Sequence, residues 1–525
     1  MTSPNPIAAA RFRTVSDLVR EHARAQPDNP ALQDETQSLS YAQLDALVDR
    51  IAASLQRDGI RHGDVVAICG LNSARHAAVF LGVLRAGAAV APLAPSSTSE
   101  TLASMLRDCG ASLWFADAAA DVSALDSSLP CVSLDGVAPG KTFEPWLAEP
   151  GSVPQPVDVT PDDAFNIIYS SGTTGTPKGI VQSHAMRWAH IQRGAANDYG
   201  PQSVTLLATP LYSNTTLVIF VPSLAYGGSV LLMRKFDAAR YLKLAEQHRV
   251  THAILVPVQY QRIMALADFD AHDLSSFQYK FSTSAPFRAE LKADVLARWP
   301  GRLIEYYGMT EGGGTCILDA HLHSDKLHTV GRPAANSDVR LIDESGNEVA
   351  AGEIGEVVGH STGMMKGYHG HPEKTREAEW FDREGKRFIR TGDVGRFDED
   401  GFLTLLDRRK DMIISGGFNI YPSDLEAQLR AHPAVEDVAV VGVASEQWGE
   451  TPVAFVVQRR GTPETANELK DWFNQRAGKT QRLADLILVN ELPRSAIGKV
   501  LKRELRDGYA SLPPASSSSS PRPRI

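Results

Sequence analysis

Apolar positions recur at helical spacing over Tyr41 to Gln56, and a short β-branched run, Val65 to Cys69, follows. His76 to Arg85 repeats the helical spacing and Ala89 to Leu93 the short run. Amphipathic helices alternating with short, continuously apolar strands predict a layered α/β architecture. Val250 to Val256 and Leu303 to Tyr306 read as further strands. After about residue 335 the pattern changes to short strands and turns, Val339 to Ile342, Gly355 to Val358 and Gly401 to Leu406, which predicts a β-rich subdomain. From Ser423 onward come a helix, strands at Val438 to Val443 and Pro452 to Val457, a helix at Thr465 to Ala477 and a strand at Leu486 to Val489. Those elements predict a compact α+β unit. Ser516 to Ser520 and the Pro-Arg-Pro-Arg that follows have nothing to bury and read as a disordered tail. The expected division is 1–409 as a large multi-subdomain N-terminal α/β domain with its β-rich subdomain at about 335–409, 410–510 as a small mobile C-terminal α+β domain, and 511–525 as tail.

Composition narrows the function classes. The 525 residues are 43% hydrophobic and 22% charged, an ordinary globular balance that excludes fibrous and disordered chains. Fifty-three Lys+Arg against 62 Asp+Glu give a net charge of -9, the wrong sign for a surface built to neutralise nucleic acid. Cys69, Cys109, Cys131 and Cys316 are too scattered for a disulfide framework and read as reduced core residues of a cytoplasmic protein. Met1 to Arg13 lacks the apolar core of a secretory signal. The uncharged run Thr215 to Met233 has bilayer length, but Pro222, Gly227 and Gly228 divide it into a short helix, a turn and a strand, so no membrane span is expected. His321, His323 and His328, and His369 and His371, lack the spacing of a zinc site and read as loop histidines.

The segment Tyr169-Ser-Ser-Gly-Thr-Thr-Gly-Thr-Pro-Lys-Gly179 directly follows the strand-like Phe165 to Ile168. Glycines let backbone N–H groups converge, the hydroxyls of Ser170, Ser171, Thr173, Thr174 and Thr176 add donors, and Lys178 adds positive charge, a combination suited to polyphosphate. A flexible linker does not sit behind a buried strand. A Walker A loop needs Gly-Lys-Ser/Thr, whereas Gly175 stands three residues before Lys178 and Gly179 follows it.

With this loop the chain resembles the superfamily of AMP-forming adenylating enzymes, which includes acyl-CoA synthetases, luciferases and peptide-synthetase adenylation domains; the resemblance runs from about Thr14 to Arg506. It implies that Ser170, Ser171, Gly172, Thr173, Thr174, Gly175, Thr176 and Lys178 hold ATP phosphates. Tyr307-Gly308-Met309-Thr310-Glu311 is similar to the second family signature: the aromatic residue lies on adenine, Thr310 meets the α-phosphate and Glu311 holds Mg²⁺. A hard cation bridging phosphate oxygens does want a carboxylate. Ser284, Ala285 and Pro286 resemble the turn beside adenine, and Thr391-Gly-Asp393 the ribose motif, in which a carboxylate accepts from both hydroxyls. Asp407-Arg-Arg-Lys-Asp411 resembles the hinge, with Lys410 at the pivot, Arg408 toward the nucleotide and Asp407 where the family usually has Gly. Ser415, Gly416 and Gly417 match the thiol tunnel of acyl-CoA synthetases, and Pro493 to Lys499 the loop of the adenylation lysine, Lys499.

The implied chemistry is attack of a carboxylate on the α-phosphorus of ATP with loss of pyrophosphate, then displacement of AMP by the thiol of CoA. Both partners in the first step are anionic, so the site must supply positive charge. Lys178, Arg408, Lys499 and Mg²⁺ on Glu311 are the expected suppliers, with Thr310 beside them. The resemblance also implies that the small domain swings between the two steps. Ile413 to Pro422 and Lys499 to Arg503 resemble acyl-CoA synthetases more than peptide-synthetase adenylation domains. A ligase loading a carrier protein, a luciferase-like oxygenase and an inactive nucleotide-binding regulator are the alternatives.

The acyl wall is expected at Tyr212, Ser213, Asn214 and Thr215, with Gly312 and Gly313 leaving room for a flat ring. No charged residue or His occurs from Tyr199 through Met233, which predicts an uncharged substrate tail, since an unpaired buried charge is costly. Aromatic acids of the hydroxycinnamate or benzoate type are preferred over medium-chain fatty acids. Ser213 stands where many acyl-CoA synthetases have His. The sequence does not fix an oligomeric state.

Overall fold

The computed structural model describes residues 10–125, 128–170, 178–415, 418–445, 448–478, 481–495 and 498–511. The tail expected over 511–525 therefore lies, beyond residue 511, outside the described residues. The chain divides into two compact units, Met1–Val339 with Gly359–Ile389, and Arg340–Val358 with Arg390–Ile525. The junction expected between 409 and 410 falls inside the second of these.

The first unit carries two sheets. One contains, in spatial order, Arg332–Pro333, Cys316–Asp319, Arg302–Tyr307, Tyr279–Ser282, His252–Leu255, Val204–Leu207, Ser229–Leu232, Pro30–Gln33 and Ser38–Ser40. From Arg302–Tyr307 to Pro30–Gln33 its neighbours pair in parallel. The other is parallel through Ala89–Leu93, Val65–Cys69, Ala111–Ala116 and Cys131–Ser133. It continues through Ala164–Ser170, whose antiparallel partner Lys178–Ser183 turns the chain back. One apolar cluster joins residues of both sheets, Val66, Phe115 and Phe165 with Leu207, Val230 and Phe281, through the helices Tyr41–Arg57, Ala74–Arg85 and Asn214–Ala225. Every residue of Ala74–Arg85 but Arg75 is buried, as a helix covered on all sides requires.

Local chemistry sets the helix starts. Ser40 and Gln43 form a capping box, and Ser183 and Ser213 accept from backbone N–H groups of the first turn. The run from Thr215 resolves into helix Asn214–Ala225, a turn and strand Ser229–Leu232. Pro222 lies inside that helix rather than at a break, three residues before its end, and its missing amide hydrogen removes one ladder bond. Among the described residues no helix is long and apolar enough to cross a membrane. The four cysteines are free, and Cys69, Cys109 and Cys316 are buried.

In the second unit Ile413–Ser415, Phe418–Ile420, Val435–Ser445, Gly449–Gln458 and Asp485–Val489 form a sheet. Helices Pro422–Arg430 and Ala466–Asn474 bury Leu425, Leu429, Leu469 and Phe473 in the apolar cluster on it. The hairpin Arg387–Phe397 and Leu403–Arg408 pairs Asp393 with Arg408.

Candidate active site

In the first unit the candidate segments gather at the carboxyl ends of parallel strands, where open α/β sheets place their ligands. Thr209 to Thr216 follows Val204–Leu207, Ser284 to Pro286 follows Tyr279–Ser282, and Tyr307 ends Arg302–Tyr307 with Gly308, Met309, Thr310 and Glu311 just beyond. The phosphate-loop candidates Ser171, Gly172, Thr173, Thr174, Gly175 and Thr176 lie outside the described residues. The loop's two ends are paired, Ser170 with Lys178 and Tyr169 with Gly179. Tyr169 is anchored from behind: its hydroxyl donates to Asp108 Oδ2 at 2.5 Å, and His371 Nε2 lies 3.1 Å from Asp108 Oδ1.

Lys178 and Glu311 meet through a residue that motif reading passed over. Strand Gly367–Tyr368 pairs with Lys178–Ser183, which sets the Tyr368 ring 4.9 Å below Lys178 Nζ. The Tyr368 hydroxyl donates to Glu311 Oε1 at 2.9 Å. Burial, then the Glu311 charge, pushes the phenol well above its ordinary range, so it stays a donor. A carboxylate at this place suits Mg²⁺, which takes one or two carboxylates and completes its shell with phosphate and water oxygens.

The acyl candidates are held by polar contacts of their own. Ser213 Oγ accepts from Thr215 N at 3.2 Å, so the serine that replaces the common His is the N-cap of helix Asn214–Ala225. Thr215 Oγ1 lies 2.6 Å from Ser284 Oγ, and Ser284 sits at φ 80°, a left-handed conformation that costs a non-glycine residue strain. Ala285 and Pro286 follow in the same turn. Tyr212 is half-buried, and burial raises its hydroxyl pKa. Gly312 and Gly313 have a packing reason that was not expected. Both have positive φ; a Cβ on Gly312 collides with the Gly363 carbonyl oxygen, and one on Gly313 lies 2.8 Å from that of Gly359. Their missing side chains let two backbone segments touch, so the ring-sized space expected there is not what their Cβ directions face.

Behind Asn214 lies a buried network that local reading also missed. Arg187 and Gln182 are 1% and 0% exposed. Arg187 reaches Asn214 Oδ1 at 2.9 Å, and Gln182 Nε2 donates to the Thr310 carbonyl at 2.6 Å. The stretch from Tyr199 to Met233 is uncharged, but a guanidinium from the preceding helix stands directly behind it.

In the second unit Arg408 Nε lies 3.0 Å from Asp393 Oδ1, and Asp393 N donates to Thr391 Oγ1 at 3.0 Å. The Pro493 to Lys499 turn closes through Ser495 N to Lys499 O at 2.8 Å and Gly498 N to Ser495 O at 2.8 Å, with Gly498 at φ 75°. Burial, then the Arg408 charge, lowers the Lys499 pKa to about 8; Lys410 adds to this, while Asp393 and Asp411 oppose it. The structure thus brings Lys499, Arg408, Asp393 and Lys410 into one electrostatic cluster. Asp407, the departure from Gly, accepts from Ser423 N at 2.9 Å at the start of helix Pro422–Arg430. Ser415 is buried and pairs with Phe418 and Gly449, while Gly416 and Gly417 lie outside the described residues.

Comparison with known proteins agrees with both halves. Residues 19–369 match the family described as AMP-binding enzyme, and residues 424–499 match the AMP-binding enzyme C-terminal domain. The chain is similar to a feruloyl-CoA synthase of an Amycolatopsis species, at 35% identity over 92% of this chain and 96% of that protein. It is similar to the fatty acid–acyl-carrier-protein ligase ScoC of Streptomyces coeruleorubidus, at 30% identity over 95% of this chain and 97% of that one. Among solved structures it resembles the amide bond synthetase McbA of Marinactinospora thermotolerans, with TM-score 0.83 and 27% identity over 94% of this chain and 99% of the other.

Proposed function

The chain belongs to the AMP-binding enzyme family, whose members activate an acid as its acyl-adenylate, and from that premise we infer that it is an acyl-CoA synthetase acting on an aromatic acid with an uncharged tail. The observation that carries the reading is the pairing of a Lys178–Tyr368–Glu311 group with an acyl segment, Tyr212 to Thr215, made only of uncharged hydrogen-bonding side chains. The feruloyl-CoA synthase relative supports an aromatic acid and CoA. Similarity to ScoC supports a second reading, transfer to a carrier protein.

In the first step a carboxylate oxygen attacks the α-phosphorus, a P–O bond forms, and the bond to pyrophosphate breaks. Lys178 draws the phosphates, and Tyr368 holds Glu311 in place by donating to it. Mg²⁺ on Glu311 supplies charge neutralisation at the phosphates when bound. Asp393 accepts from the ribose hydroxyls, and Lys499 places its ammonium against the charge that develops as pyrophosphate leaves. In the second step the thiolate sulfur attacks the acyl carbon and the C–O bond to AMP breaks. Ser415, Gly416 and Gly417 line the thiol's route, rotation at Lys410 separates the two steps, and the 1–409 and 410–510 division is the proposed pair of moving parts.

The test is pyrophosphate and AMP release with cinnamate, 4-hydroxycinnamate, benzoate, octanoate, malonate and phenylalanine, with and without CoA, and products identified by mass. Best kcat/KM on a cinnamate or benzoate with CoA thioester as product is the expected result. Best turnover of malonate or phenylalanine overturns the uncharged tail, best turnover of octanoate overturns the aromatic preference, and adenylate formed with every acid but never captured by CoA favours the carrier protein.

A further inference from the structure

Arg187, on helix His184–Gly194, is a buried guanidinium with no carboxylate partner among the described residues. Its Nε and Nη2 donate to Asn166 Oδ1 at 3.2 and 2.9 Å, Nη2 also to Gln182 Oε1, and Nη1 to Asn214 Oδ1 at 2.9 Å. His190 Nδ1 lies 3.3 Å from Nη1, and burial followed by the Arg187 charge keeps that imidazole neutral and able to accept. Four neutral groups do the work that one counter-ion ordinarily does. That arrangement is costly, and burial lowers the Arg187 pKa to about 9.

The consequence lies in the direction of the amides. A guanidinium only donates, so every amide that touches it must present oxygen. Asn166 does, and turns its Nδ2 to Gln182 Oε1 at 3.0 Å; Gln182 in turn sends Nε2 to the Thr310 carbonyl at 2.6 Å and lies 3.4 Å from Asn214 Oδ1. Asn214 receives two donors on one oxygen, which fixes its flip. Its Nδ2 then points out of the network, and among the described residues nothing accepts from it. Asn166, Gln182 and Arg187 are buried, whereas Asn214 is partly exposed.

We propose that Arg187 is a positioning residue that locks Asn214 with its NH₂ toward the acyl substrate, so that the enzyme selects aromatic acids whose tail carries a hydrogen-bond acceptor oxygen such as a methoxy, ether or carbonyl group. The proposal rests on the reading of Tyr212 to Thr215 as the acyl wall. It assigns a polarity to that wall. A donor fixed from behind rewards an acceptor and gives nothing to a methyl group of similar size.

The experiment compares kcat/KM for pyrophosphate release with ortho-, meta- and para-methoxycinnamates against the matching methylcinnamates. At the ring position where methoxy is best, the wild type favours methoxy by about tenfold, the worth of one well-placed hydrogen bond. Asn214→Leu brings the ratio near one. Asn214→Asp puts an acceptor where the donor stood and reverses the order, an outcome that a merely structural role for the residue does not produce. A second arm needs no substrate. Asn214→Asp gives the buried guanidinium its missing counter-charge, so the Tm rises, and the rise disappears in the Arg187→Met background. A wild-type ratio near one with both acids turned over overturns the proposal, as does an unchanged order, or no gain in Tm, for Asn214→Asp. Absence of pyrophosphate release with every acid overturns the proposed function instead, while the melting arm still reports on the network.

Discussion

The depressed Lys499 pKa makes a sharp prediction about the first half-reaction. Burial and Arg408 bring the ammonium from 10.5 down to about 8, so in the free enzyme it is charged at pH 7, half-charged near pH 8 and about one-eleventh charged at pH 9. If the charged form is what stabilises the leaving pyrophosphate, kcat/KM for ATP in adenylate formation falls about tenfold per pH unit above 8, because that parameter reports the free enzyme's groups. The assay is pyrophosphate release without CoA from pH 6.5 to 10 at fixed ionic strength, so that no thiol ionisation enters the profile. Lys499→Ala lowers the rate at pH 7 by about 10²-fold, the loss expected for one transition-state cation, and also abolishes the alkaline limb. Lys499→Arg gives a lower plateau without the limb near pH 8, since an arginine at that position keeps its charge well above the pH at which the lysine loses it. Thioester formation from supplied acyl-adenylate is largely spared in both variants. A wild-type profile that stays level through pH 9.5, or a limb near pH 8 that survives in Lys499→Ala, refutes the assignment.

Tyr368→Phe keeps the ring under Lys178 but removes the donor to Glu311; adenylation falls about tenfold and the Mg²⁺ concentration for half-maximal rate rises, both read by magnesium titration. Lys410→Pro fixes φ at the proposed pivot and slows thioester formation more than adenylation, which single-turnover kinetics resolves; equal slowing of both with intact folding argues against rotation there. Lys280, buried and donating to the carbonyls of Trp299, Pro300 and Gly301, is structural: Lys280→Met costs about 1–3 kcal/mol and leaves kcat unchanged, as urea denaturation and steady-state assays show. Burial lowers the Lys280 pKa to about 7, below its unfolded value, so the charged form is penalised in the fold and this residue's contribution to stability rises as pH increases from 7 toward 10.5.

The sheet-and-helix pattern was legible because buried strands such as Val65–Cys69 and Ala89–Leu93 are continuously apolar, and the helices between them carry their own caps. The candidate site could be proposed from the sequence only where a contiguous motif resembles one of the family's. Tyr307 to Glu311 and the Lys499 loop were picked out by their resemblance to contiguous family motifs; Tyr368, Gln182 and Arg187 lie in no such motif, since each acts across a distance in sequence, 57 residues from Tyr368 to Glu311 and 27 from Arg187 to Asn214. The structure adds local reasons for two candidate positions that the sequence did not show. Gly312 and Gly313 are small because backbone lies against them, and Ser213 faces its own helix terminus. The uncharged run from Tyr199 to Met233 is real, but charge enters a site from whichever element packs behind it.

The polar ties around residue 410 make a physical case for placing the pivot there. Within the second unit, residues 390–408 are joined to the C-terminal segment by Asp407 Oδ2 with Ser423 N, by Ser423 Oγ with the Leu406 carbonyl, and by the charge interactions of Lys499 with Arg408 and Asp393. The two apolar clusters of the C-terminal sheet draw on residues from Ile413 onward and on none from 340–409. Turning at Lys410 therefore breaks a few hydrogen bonds that water can replace, at about 1 kcal/mol each, and exposes no core of those clusters. Asp411 stays tied to Arg506 at 2.6 Å, so the segment beyond the pivot moves with the C-terminal helix Lys502–Ala510 rather than unravelling. Under the proposed rotation at Lys410, Asp407, absent from the usual family pattern, acts as a latch: its carboxylate accepts from Ser423 N at the start of helix Pro422–Arg430 in the arrangement that gathers Lys499, Arg408 and Asp393, and lets go as Lys410 turns.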